Sequence, residues 1–164
     1  MSNGEVSGPA IWVTRGACSL IGDDEMAEIE DEPVLDMQRV CKSMQKSQVY
    51  VQNQLNNYLT KFIPDGFTEI KEHLFSNDKP LMYRAAHSQV SCMRMIGLFR
   101  LGLILDKMQK CVYTPADDDR PGQFQKYQAL YRLLVKELAM ARQLVSKLPP
   151  AEEEGKSGHR DFLS

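Results

Sequence analysis

Apolar residues recur every three or four positions along most of the chain, and no two-residue alternation lasts long enough to suggest a strand. The pattern opens at Pro33, a residue suited to a first helical turn, and continues through Val34, Met37, Val40, Cys41 and Met44. Ser47 is placed to cap a second, longer helix with apolar positions Val51, Leu55, Tyr58, Leu59, Phe62, Phe67, Ile70 and Leu74. Pro64-Asp65-Gly66 interrupts it, and because the spacing resumes beyond, a kink is expected there rather than a break. Phe75 to Pro80 reads as a turn with capping residues. A helix from about Tyr83 to Gly97 follows, the glycine sitting where it can cap the helix or admit a neighbour. Leu98, Leu101, Leu105 and Met108 then mark a very apolar segment ending near Cys111, expected to be surrounded by the others. Tyr113 to Gly122 reads as a loop. The last helix is expected from Gln123 to about Leu148, with Phe124, Tyr127, Tyr131, Leu134, Leu138, Ala141, Val145 and Leu148 as its stripe and Pro149-Pro150 as its stop.

These elements predict an all-α fold, an antiparallel four-helix bundle with a short extra N-terminal helix. Its core helices should hold about 15 to 28 residues each. Residues 1–32 read as a flexible acidic tail, because five glycines and prolines up to Gly22 break any period and Asp23 to Glu32 is an acidic run. Ile11-Trp12-Val13 is the apolar exception; disorder is preferred there over docking. The bundle spans 33–148, and 149–164 is a polar tail.

A chain of 164 residues with 43% hydrophobic content supports one domain with a real core. The net charge of -2 argues against nucleic acid as a partner, which needs a basic stripe. No apolar run approaches the roughly 20 residues needed to span a bilayer. Nor does the N-terminus show a basic then apolar leader. Cys18, Cys41, Cys92 and Cys111 form no CxxC pair and read as reduced, two of them in the core. The expected compartment is the cytosol, with the nucleus as a second.

Candidate chemistry concentrates at His87. At 3.6 residues per turn, Tyr83, Arg84, Ser91 and Arg94 share its side with Val90 between them, while Ala85, Cys92, Met95 and Ile96 fall mostly on the other. A neutral imidazole there is a nucleophile free to meet a partner, although a lone histidine is more often plain surface or core. His73 reads as surface and His159 as tail. Asp117-Asp118-Asp119 lacks the alternating ligands and glycine of a calcium loop and reads as a solvated turn. No zinc spacing, nucleophile elbow or phosphate-cradling glycine loop is present, so no metal and no cofactor is expected.

Several stretches carry a family resemblance. Ala86-His87 is followed at the right distance by Ile96-Gly97-Leu98 and then Leu101. Upstream lie a helix with a mid-way proline at Pro64 and the turn Ser76-Asn77-Asp78 before Leu81, Tyr83 and Arg84. Over about Val34 to Leu148 the chain resembles histidine-containing phosphotransfer (HPt) domains, especially the yeast-type members. The resemblance implies a monomeric phosphorelay intermediate that accepts and donates a phosphoryl group at His87. It implies Gln109 as the residue that hydrogen-bonds the imidazole. It implies a docking face of Arg84, Val90, Ser91 and Arg94, and as partner a response-regulator receiver domain or a hybrid histidine kinase. Two positions depart from the family pattern. The lysine three residues after the histidine is Val90, and the glycine four after it is Ser91. The lysine supplies positive charge beside the phosphoryl group; Arg84 and Arg94 are placed to restore some of it. The alternative is a degenerate member, a bundle that binds a receiver as adaptor or inhibitor without transfer. A third class is a plain interaction module whose histidine is incidental.

Overall fold

A computed structural model describes residues 20–113 and 122–150. The expectations for Ile11-Trp12-Val13, Cys18, Asp117-Asp118-Asp119 and His159 lie outside the described residues. Helix α1 (Asp23–Asp31) is followed by α2 (Met37–Met44) and α3 (Gln48–Asn57). A π-helical turn (Tyr58–Phe62) joins α3 to α4 (Ile63–Glu72) without a break. Then come α5 (Lys79–Met95), α6 (Phe99–Val112) and α7 (Gln123–Ser146). The fold is an all-α antiparallel bundle in which α3–α4, α5, α6 and α7 are the four long members. Among the described residues, two short helices, α1 and α2, precede them.

The starts of these helices are written locally. Asp36, Ser47 and Asp78 each accept a backbone N–H three residues on, from Arg39, Tyr50 and Leu81, at 3.1, 3.1 and 3.2 Å. Each bond satisfies a donor that the helix cannot pair itself, and each is worth about 1 kcal/mol. Gly97, at φ +88°, closes α5. The Leu98 N–H donates to the Met93 carbonyl at 2.9 Å and the Gly97 N–H to that of Arg94 at 3.3 Å. Leu98 and Met93 are both buried beneath this turn. This doubly bonded ending needs a left-handed residue, which glycine adopts without steric cost.

Helix α6 is the centre, packed between α5 and α7. Leu101, Ile104, Leu105 and Met108 are fully enclosed, each burial contributing about 1.5–3 kcal/mol before entropy is counted. Gly102 lets α5 come close: a Cβ there would stand 3.0 Å from Cγ of Arg94 and 3.6 Å from the Val90 carbonyl oxygen. The Tyr127 hydroxyl on α7 donates to the Met82 carbonyl on α5 at 2.9 Å, so its one polar atom is satisfied inside the core.

Two expectations are corrected. The acidic stretch 23–31 is a packed helix, not a tail, with Ile29 1% exposed and Ile21, two residues before its start, 2%. Its acidic face is neutralised from far along the chain, by Lys107 on Glu28 at 2.5 Å and Lys126 on Glu25 at 2.6 Å. Its last turn is held by Arg100, whose Nε and Nη2 donate to the carbonyls of Glu32 and Glu30, both at 2.9 Å. The second correction concerns Pro64, which sits in the first turn of α4, where its missing N–H costs little. The distortion falls one turn earlier. There the Ile63 N–H reaches back five residues to the Tyr58 carbonyl, which widens the backbone ahead of the proline ring. Of the three described cysteines, Cys111 is buried and Cys41 and Cys92 are half-buried, with Cys92 packed against the core.

Candidate functional site

Helix α5 lies between α4 and α6 and buries Met82, Ala85, Ala86, Val90 and Met93. This seam leaves Arg84, His87, Ser91 and Arg94 exposed along one stripe. Val90, expected on that exposed face, is 6% exposed and belongs to the core. The position three after His87 turns into the hydrophobic core, and Gly102 lets the α6 backbone come close to its carbonyl oxygen. Met95 is corrected in the opposite sense, at 48% exposed rather than on the apolar side.

His87 stands at mid-helix, exposed, with its ring held on two sides. Tyr83, one turn earlier, stacks on it with centroids 5.2 Å apart and planes 12° from parallel. Tyr113, at the end of α6, leans on Tyr83 at 5.1 Å. The imidazole Nδ1 lies 2.6 Å from Oε1 of Gln109 on α6. Nε2 makes no hydrogen bond among the described residues, and the side chain is exposed. Pro80, Tyr83, Arg84, Val112 and Tyr113 line, with His87, a shallow groove of about 670 Å³ beside the ring. Flat aromatic walls with a cation at the rim suit a protein surface better than a small molecule that needs enclosure.

The Gln109 amide is itself tied down. Its Nε2 donates to Oδ1 of Asp106 at 2.6 Å, and Lys110 Nζ meets the other oxygen, Oδ2, at 2.8 Å. Burial acts to raise the Asp106 pKa but is outweighed. Hydrogen bonds from Lys110 and Gln109, with the charges of Lys110 and Arg94, hold it below the ordinary carboxylate value. Sequence reading named His87 and Gln109 but passed over Asp106 and Lys110. Their signal was the i,i+4 acid–base spacing around Gln109, which is too common on exposed helices to single out.

The structure therefore brings His87, Gln109 and Tyr83 into contact and sets Arg84, Ser91 and Arg94 on the same surface. It removes Val90 from that surface and leaves Gly97 as the cap that ends the helix. No group of three or more metal-ligating side chains comes together among the described residues. No helix among them is long and apolar enough to cross a membrane. Compared with family models, with curated proteins and with solved structures, the chain finds no match in any of the three.

Proposed function

We propose that the protein is a histidine phosphotransfer (HPt) carrier of a two-component phosphorelay, with His87 as the phosphoacceptor and receiver domains as its partners. The observation that carries the reading is the exposed mid-helix imidazole whose Nδ1 is engaged by Gln109, which leaves Nε2 as the nitrogen to react. In transfer, the Nε2 lone pair attacks the phosphorus of a receiver aspartyl phosphate. The P–O bond to the aspartate breaks, and its electron pair leaves on the carboxylate. The ring keeps its Nδ1 proton, becomes cationic, and is stabilised by the Gln109 carbonyl oxygen. The receiver supplies the metal and most of the charge stabilisation, so the carrier has to offer only position. Arg84 and Arg94 supply cations on the docking face, and Ser91 is small enough to leave the partner room.

The adaptor reading keeps one specific support. Val90 occupies the family's lysine position, and its burial leaves that position without a cation. The test is incubation with a phosphorylated receiver domain. A carrier gains an acid-labile, alkali-stable phosphate that is absent from His87→Gln. Binding without transfer selects the adaptor, and absence of binding sinks both.

A further inference from the structure

We propose that Asp106 is the positioning residue that decides which nitrogen of His87 carries the proton, acting through the Gln109 amide. The proposal rests on the carrier reading for its consequence, though not for its geometry. Lys110 can only donate, and it holds Oδ2 of Asp106 at 2.8 Å. The ionised carboxylate can only accept, so the amide must turn its NH₂ toward Oδ1, which it meets at 2.6 Å. The amide oxygen is thereby left facing the imidazole at 2.6 Å. Two acceptors cannot bond, so Nδ1 must be the donor and Nε2 must hold the lone pair. Reversing the amide would set its oxygen against a carboxylate oxygen of Asp106, whichever tautomer the ring held. An unconstrained histidine favours the opposite tautomer, so this chain of contacts works against the ring's own preference.

The charge around Asp106 supports its ionised state. Arg94 on α5 acts on it from one side. Lys107 and Lys110 on α6, Lys126 on α7, and Glu25 and Glu28 on α1 share a small cavity of about 250 Å³ with it. The cost of its burial is outweighed by the hydrogen bonds from Lys110 and Gln109 together with the charges of Lys110 and Arg94.

Asp106→Asn keeps the shape and inverts the logic. Lys110 selects the Asn carbonyl, which turns the Asn NH₂ toward Gln109. The Gln109 amide then rotates to present its oxygen to that NH₂ and its own NH₂ to His87. Nδ1 becomes the acceptor, and the proton moves to Nε2. The readout is the pair of ¹⁵N shifts of the His87 ring in the full chain at alkaline pH, from long-range ¹H–¹⁵N correlations. Backbone amide spectra report whether each variant keeps its fold. The expected wild-type pattern is a pyrrole-type Nδ1 and a pyridine-type Nε2. Asp106→Asn should exchange the two, Asp106→Glu should retain the wild-type pattern, and Asp106→Asn with Lys110→Met should give a mixture. Phosphoryl uptake by Asp106→Asn should slow about tenfold, the scale of one lost hydrogen bond. A pyridine-type Nδ1 in the wild type, or an unchanged pattern in Asp106→Asn, overturns the assignment. The expected shifts without phosphoryl uptake by the wild type would refute the carrier reading alone and leave Asp106 in this role.

Discussion

Arg100→Met tests how the N-terminal helix is held. The guanidinium donates at 2.9 Å to the carbonyls of Glu30 and Glu32, the last turn and C-cap of α1, and meets Oε2 of Glu137 on α7 at 3.4 Å. The two side chains of the ion pair are 16% and 9% exposed. Methionine keeps the apolar stem and removes the donors. The two carbonyls lie near the surface, where water replaces the lost bonds at about 0.5–1 kcal/mol each. Glu137 has no such recourse. Orphaning a buried charge costs roughly 3–5 kcal/mol for a well-formed pair, and this longer, one-oxygen contact belongs below that range, near 2 kcal/mol. The expected loss is therefore about 3 kcal/mol, or roughly 6–12 °C in Tm for a chain of this size. Urea and thermal unfolding followed by circular dichroism would measure it. Arg100→Met with Glu137→Gln should recover about half the loss, because no charge is left stranded. A loss under about 1 kcal/mol, or a double variant that merely sums the single losses, would refute the reasoning.

Three further outcomes are expected. Val90→Lys, which by sequence alone looks like restoration of a missing cation, should instead cost about 2–4 kcal/mol, because it forces an ammonium into the core; a urea midpoint equal to wild type would mean the position faces water. Glu25 and Asp106 are both held below their ordinary values of 4.5 and 3.8; for Glu25, burial pushes upward but the hydrogen bonds from Lys126 and Gly22 and the charges of Lys126 and Lys107 prevail. Their contribution is thus complete above the unfolded-state values and disappears as pH falls through the folded ones. Stability should drop as pH falls below about 4.5 and through the lower folded-state values, less steeply in Glu25→Gln and Asp106→Asn, and equal slopes in all three proteins would contradict this. Burial pushes the Cys111 thiol up to about 11, so a thiol reagent at pH 8 should label Cys41 and Cys92 well before Cys111, with mass spectrometry locating the label; equal labelling rates would show that α6 is not enclosed.

The bundle was legible because its signals are local. Ser47 and Asp78 announce helix starts, Pro149 a stop, and the 3.6-residue stripe a buried face. Gly97 was legible as a helix end because the chain needs a left-handed residue where α5 turns into α6. Helix α1 was not, because its acidic residues look like a tail until Arg100, Lys107 and Lys126 are folded onto them. Nor did the sequence show that Pro64 would be accommodated by a widened turn upstream, since that depends on the backbone of Tyr58 to Ile63. At the site, the exposure of His87 followed from the periodicity. Val90 was misplaced because a position 60° around the helix from His87 can face either the rim or the seam, and the packing of α6 decides which. The Gln109–Asp106–Lys110 contacts lie on one helix, but their meaning depends on the histidine of another.

The most direct measurement of the central claim is ³¹P–¹⁵N NMR of the chain after charging by a phosphorylated receiver domain. The charged chain should carry one phosphoryl group, bonded to Nε2 of His87, with Nδ1 still protonated against Gln109. Phosphorus on Nδ1, on another residue, or on none at all would contradict it.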